Sequence, residues 1–109
     1  MLFIRVEDFF AQARAVPRFT QEEEKVLAER MANGDQTARE QLIRSYYPLV
    51  AAVIGRSPKE IQTLHTVYAC IQELENGVDR FNFLQDNETF IHHISWRLRQ
   101  AITRAIADR

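Results

Sequence analysis

The last helical stretch of the chain, Phe90 to Arg109 (FIHHISWRLRQAITRAIADR), most constrains how it can fold. On a helix of 3.6 residues per turn, Ile91, Ile94, Leu98, Ala101, Ile102 and Ala105 fall on one side. His93, Trp96, Gln100 and Thr103 fall on the other, with Arg99 and Arg104 at its edges. The apolar side demands a second layer to pack against. The polar side holds a tryptophan whose large apolar area is unfavourable in water unless something covers it. Its neighbours suit DNA: Arg for phosphate or guanine, Gln for adenine, Thr for a methyl group or phosphate.

The rest of the chain reads as the helices that supply this layer. Glu7 to Ala15 forms a short helix with Phe9, Phe10 and Ala13 inward, closed by Pro17. Thr20-Gln21-Glu22-Glu23 is a capping box, and Glu22 to Glu24 favour the positive end of the helix that follows. That helix is expected to bury Val26, Leu27 and Met31 and to stop at Asn33-Gly34. Asp35 caps the next, with Leu42, Ile43 and Tyr46 inward. Pro48 opens a new helix whose LVAAVI run, apolar nearly all round, predicts a place central to the core. Ser57-Pro58-Lys59-Glu60 repeats the capping box and predicts a long helix from Ile61 to Phe81, with Gly77 as a weak point. Asn82 to Asn87 reads as a polar loop, with Asp86 or Asn87 capping the final helix. No stretch shows strand alternation with turn chemistry, so the fold class is all-α.

A length of 109 residues suits one domain with a modest core. The formal net charge of −1 announces no nucleic-acid partner, but it conceals an asymmetry. From Ile91 onward four arginines (Arg97, Arg99, Arg104, Arg109) face one acid, Asp108. From Lys59 to Glu88 two basic residues face six acids. Separated fields of this kind suit two surfaces with different partners. Cys70 is the sole cysteine, which excludes an internal disulfide and fits a reducing compartment. Met1 to Ile4 is short for a signal peptide and no run approaches membrane-spanning length, so a cytoplasmic chain without membrane contact is expected. His92 and His93 are adjacent and point about 100° apart on a helix, unlike a chelating i, i+4 pair, so neither metal nor cofactor is expected. Nothing resembles a nucleophile–base pair or a phosphate-cradling glycine loop, which leaves an enzyme the least supported class.

Four stretches, in order, resemble the core-binding and promoter-melting part of bacterial RNA polymerase sigma factors of the primary and related alternative type. VPRFTQEEEKVLAERMANGDQTAREQLI resembles the helices just upstream of the family's core domain. YYPLVAAVIGR resembles its first core helix, and GVDRFN the end of its polymerase-binding helix. WRLRQAITRAIADR is similar, nearly residue for residue, to the helix that reads the promoter minus-ten element. The resemblance runs from Phe9 to the end and implies a compact, multi-helix, sigma-factor region-2-like bundle. It implies one domain over 1–109, with upstream helices at 9–47 and core-binding and promoter-reading helices at 48–109. It further implies two partners, core RNA polymerase and promoter DNA, the latter both as duplex and as unpaired non-template strand.

Site residues follow from the same resemblance. Gln100 and Thr103 match the pair that contacts the upstream base pair of the minus-ten element. Trp96 matches one of two tryptophans that wedge against the opening fork; the second is Arg97 here. His93 stands where a tyrosine usually caps the melted fork, and Arg99 and Arg104 are placed to hold phosphates. The polymerase-binding residues implied are Leu64, Thr66, Val67, Cys70, Glu73 and Leu74. The family's Asp-Leu-Ile-Gln-Glu-Gly run is His65-Thr66-Val67-Tyr68-Ala69-Cys70 here, and NFLQDNET replaces a basic, aromatic stretch. Acid there opposes single-stranded DNA. These departures motivate an alternative: a degenerate sigma-like module acting through protein contacts, as a partial sigma subunit, a mobile-element regulator or a decoy for an anti-sigma protein. A plain helical interaction domain that dimerises through Trp96 is a more distant option.

Overall fold

The computed structural model describes residues 3–84 and 89–108. Six α-helices follow in order: α1 (Val6–Ala15), α2 (Gln21–Ala32), α3 (Gln36–Ser45), α4 (Tyr47–Gly55), α5 (Leu64–Arg80) and α6 (Phe90–Asp108). A short 3-10 turn spans Lys59–Ile61, and no strand occurs among the described residues. The chain is an all-α bundle.

Local chemistry sets most helix ends. The Thr20 hydroxyl accepts from the Glu23 N–H while the Glu23 carboxylate accepts from the Thr20 N–H, so the capping box closes both ways. Gly34 ends α2 with φ +93°, a conformation that disfavours any side chain. The Asp35 carboxylate then accepts from the Ala38 N–H and starts α3. The expected box at Ser57 does not form. The Ser57 hydroxyl donates back to the Val53 carbonyl, so it is spent on the end of α4 and cannot serve a helix ahead of it. The chain makes the 3-10 turn instead, and Thr63 caps α5 by accepting from the Thr66 N–H. The long helix therefore runs over Leu64–Arg80 rather than from Ile61. Asp86 and Asn87, the expected caps of α6, lie outside the described residues; within them, the Thr89 hydroxyl accepts from the His92 N–H.

The core lies where α5 crosses α6, with α4 and α1 closing one side. Val67, Cys70, Leu74 and Val78 of α5 meet Ile94 and Leu98 of α6, all without solvent exposure. Gly77 sits under side chains of α6, with Ile94 closest over it. A Cβ there would lie 2.6 Å from Ile94 Cδ1, so the residue expected as a weak point is what lets the two helices close up. An aromatic cluster seats the start of α6: Phe90 packs on Tyr46, Phe81 and Phe83 at centroid distances of 4.7, 5.3 and 5.1 Å. Phe3, unremarked in the sequence, is also core, set edge-on to Phe9 and donating its N–H to the Tyr68 hydroxyl.

Three expected core positions are corrected. Val26 is exposed on α2, where Leu27 is buried as expected and Ala28 takes the place beside it. Helix α4 is less central than its composition predicts. Val50 and Ile54 are buried, but Ala52 is exposed and Leu49 and Val53 are half-covered, since no element among the described residues closes over that side. Ile91 is exposed, at the rim of an open groove that it shares with Pro48, Leu49 and Ala52.

The Tyr46 hydroxyl donates to the Glu24 carboxylate, joining α2 to the junction of α3 and α4. Burial raises the Glu24 pKa, and the Tyr46 hydrogen bond only partly offsets it. Its protonated form is favoured in the folded state, so this group lowers stability as pH rises from about 4.5 through the raised folded pKa. Asp79, which accepts twice from the Arg39 guanidinium at 2.7 and 3.0 Å, has a lowered pKa and acts oppositely. Its stabilisation is present above about 3.8 and is lost as pH falls through the lower folded value.

Two experiments test this packing. Gly77→Val should destabilise the chain by about 2–3 kcal/mol in urea unfolding. Gly55→Ala, with no atom within 4 Å of the added Cβ, should instead stabilise it by about 0.4–1 kcal/mol. Urea midpoints measured across mildly acidic to neutral pH should flatten in Glu24→Gln above pH 4.5, with the acid limb unchanged.

Candidate nucleic-acid interface

Because Ile94, Leu98, Ala101 and Ile102 face inward, α6 turns Trp96, Arg99, Gln100, Thr103 and Arg104 outward. These five side chains line one shallow depression, and Trp96 is 62% exposed. A water-facing indole is normally covered, and here no other element among the described residues covers it. The Thr103 hydroxyl donates to the Arg99 carbonyl at 2.9 Å. That leaves its lone pairs and methyl, rather than its proton, for a partner. Arg99 has no ion pair among the described residues.

The other arginines of α6 are engaged. Arg97 and Arg104 lie seven residues apart, hence on one strip of the helix, at the edge where the outward face meets α5. Both reach Glu73: Arg97 Nη1 to Oε2 at 3.4 Å, and Arg104 Nη2 to Oε1 at 3.3 Å. Arg97 and Glu73 are largely covered, whereas Arg104 is mostly exposed. His93 is half-buried rather than presented on the outer face. Its ring lies 5.2 Å from Phe81 and 6.0 Å from Phe90, because the aromatic cluster at the start of α6 offers it apolar cover. Its Nε2 has no hydrogen-bond partner among the described residues.

The expected polymerase-binding set divides differently. Thr66, Val67, Cys70 and Leu74 are buried inside the bundle and offer no surface to a partner, since α5 spends that side on its own core. The Cys70 thiol, pushed up to about 12 chiefly by burial, is inert at neutral pH. Leu64 and Glu73 are half-buried, and His65, Gln72, Asp79 and Arg80 are the exposed residues of α5. Tyr68 is held by Phe3. Among the described residues no cluster of His, Cys, Asp or Glu could hold a metal ion, and no helix is long and apolar enough to cross a membrane.

An outward Trp96 contributes little to the fold. Trp96→Ala should shift unfolding free energy by no more than about 0.5 kcal/mol. Leu98→Ala, two residues away but buried, should cost about 2–5 kcal/mol in the same urea titration.

No family model matches the chain, and no solved structure matches it. Curated proteins do. Over 105 residues, 95% of the chain, it is 33% identical to the RNA polymerase sigma factor SigA of Clostridium acetobutylicum. It spans 28% of that relative's length. Over nearly all of its residues, this chain is a divergent sigma-factor-like sequence.

Proposed function

We propose that the chain is a non-catalytic module of transcription initiation that joins core RNA polymerase to the promoter minus-ten element. The observation that carries this reading is the outward face of α6, where Trp96, Gln100 and Thr103 share one depression with Arg99. Gln100 can pair bidentately with adenine, and Thr103 can meet a thymine methyl or accept a hydrogen bond. The exposed Trp96 can replace stacking lost by an unpaired non-template base, worth roughly 1–3 kcal/mol. Arg99, and Arg104 through its exposed side, would meet phosphates. Polymerase would dock on the outer surface of α5, along Leu64, His65 and Gln72 toward Glu73. In this reading the 109 residues act as one domain, 9–47 bracing the promoter-reading part at 48–109.

A second reading has the chain act through protein contacts alone, with polymerase or an anti-sigma protein as partner. It is favoured by Arg97 in place of a second tryptophan and by Glu73 occupying two arginines of α6. The two readings separate on fork-junction DNA. With core RNA polymerase present, Gln100→Ala should weaken binding by roughly 1–3 kcal/mol for DNA carrying the preferred base, and much less for DNA altered at that one position. A uniform loss across sequences would remove base reading. Co-purification with polymerase and no sequence-dependent retention of DNA would favour the protein-contact reading.

A further inference from the structure

Glu73 reaches across from α5 and takes up two of the arginines that α6 would offer to DNA. One carboxylate oxygen goes to each guanidinium, at 3.4 Å to Arg97 and 3.3 Å to Arg104. Both distances are long for charge-assisted hydrogen bonds, and Arg104 is mostly exposed, so neither pair is strong. A phosphate could displace the carboxylate, but only by leaving Glu73 as an unpaired anion beside the nucleic-acid backbone. We infer that Glu73 is a specificity-determining residue: an internal competitor that holds Arg97 and Arg104 back from phosphates and so suppresses sequence-independent binding.

The physical logic is a division of labour on one helix. Phosphate contacts add affinity for any sequence, whereas base contacts discriminate. Trp96, Gln100 and Thr103 lie on the side of α6 away from Glu73, and Arg99 has no ion pair among the described residues. Restraining only the two arginines at the α5 edge lowers the general term while leaving Trp96, Gln100 and Thr103 free to read. The formal net charge of −1 points the same way, since affinity for bulk DNA is not gained from the whole surface. This inference rests on α6 being the DNA-facing helix.

The test uses the full chain and two fluorescent DNAs of equal length, a fork junction with a minus-ten element and a scrambled duplex, titrated over a range of salt. Glu73→Gln should bind both DNAs about three- to tenfold more tightly at low salt. Its salt dependence should steepen by about 0.9 for each duplex phosphate newly engaged. The ratio between the two DNAs should shrink. Arg97→Ala in the Glu73→Gln background should reverse part of the gain, which a loss of packing alone would not produce. A thermal melt of each variant confirms that it is folded. If the wild-type chain binds DNA and Glu73→Gln leaves affinity and salt slope unchanged, the competitor role is wrong while the DNA reading stands. If neither wild type nor Glu73→Gln retains either DNA, the DNA-facing reading falls and this inference falls with it.

Discussion

The close approach of α5 and α6 at Gly77 governs what this bundle can present to a partner. With no side chain at that position, Ile94 seats against the backbone of α5, and Leu98 and Ile102 continue the same contact along α6. Each buried aliphatic side chain contributes roughly 1.5–3 kcal/mol of transfer free energy, so rotating α6 about its axis would forfeit several at once. The rotation is therefore fixed by the core. Everything on the opposite face, with Trp96 at its centre, is left to solvent. A functional surface is thus set by packing on the other side of the same helix.

Electrostatics refine that surface. Arg97 and Arg104, at the edge of α6 next to α5, meet its carboxylate, and Arg99 makes no such pair among the described residues. Arg39 and Asp79 form a similar cross-link between α3 and α5. The acidic stretch and the basic helix identified in the sequence are thus partly joined to each other rather than standing as two independent fields. Glu73 of the acidic stretch pairs with two arginines of the basic helix, which ties the candidate polymerase helix to the candidate DNA helix through one side chain.

Much of the architecture was legible because its signals are local. Thr20, Gly34 and Asp35 mark helix ends through chemistry that acts within four residues, and the inward positions 94, 98, 101 and 102 follow from the helical period alone. The failures came where a local pattern met a competing partner or depended on what packs against it. Ser57 had the right spacing for a cap, but its hydroxyl served the carbonyl left by α4. LVAAVI looked like a fully buried helix, yet burial depends on whether another element reaches its far side. His93 falls on the polar side of the wheel, and only the tertiary placement of Phe81 draws its ring in. In the site, the face formed by Trp96, Gln100 and Thr103 was readable from periodicity. The Glu73 pairing was not, because it links residues 24 and 31 positions apart on different helices. The four polymerase-contact residues now found buried came from a resemblance of position, which carries no information on exposure.

The central claim is that the outward face of α6 meets promoter DNA, and Trp96, the sole tryptophan, reports on it directly. Fluorotryptophan incorporated into this chain alone gives one fluorine resonance, visible even in a complex with core RNA polymerase. The account predicts that this resonance shifts and loses its sensitivity to solvent isotope when fork-junction DNA is added to that complex. An unchanged resonance in a complex shown to contain chain, polymerase and DNA together would contradict it.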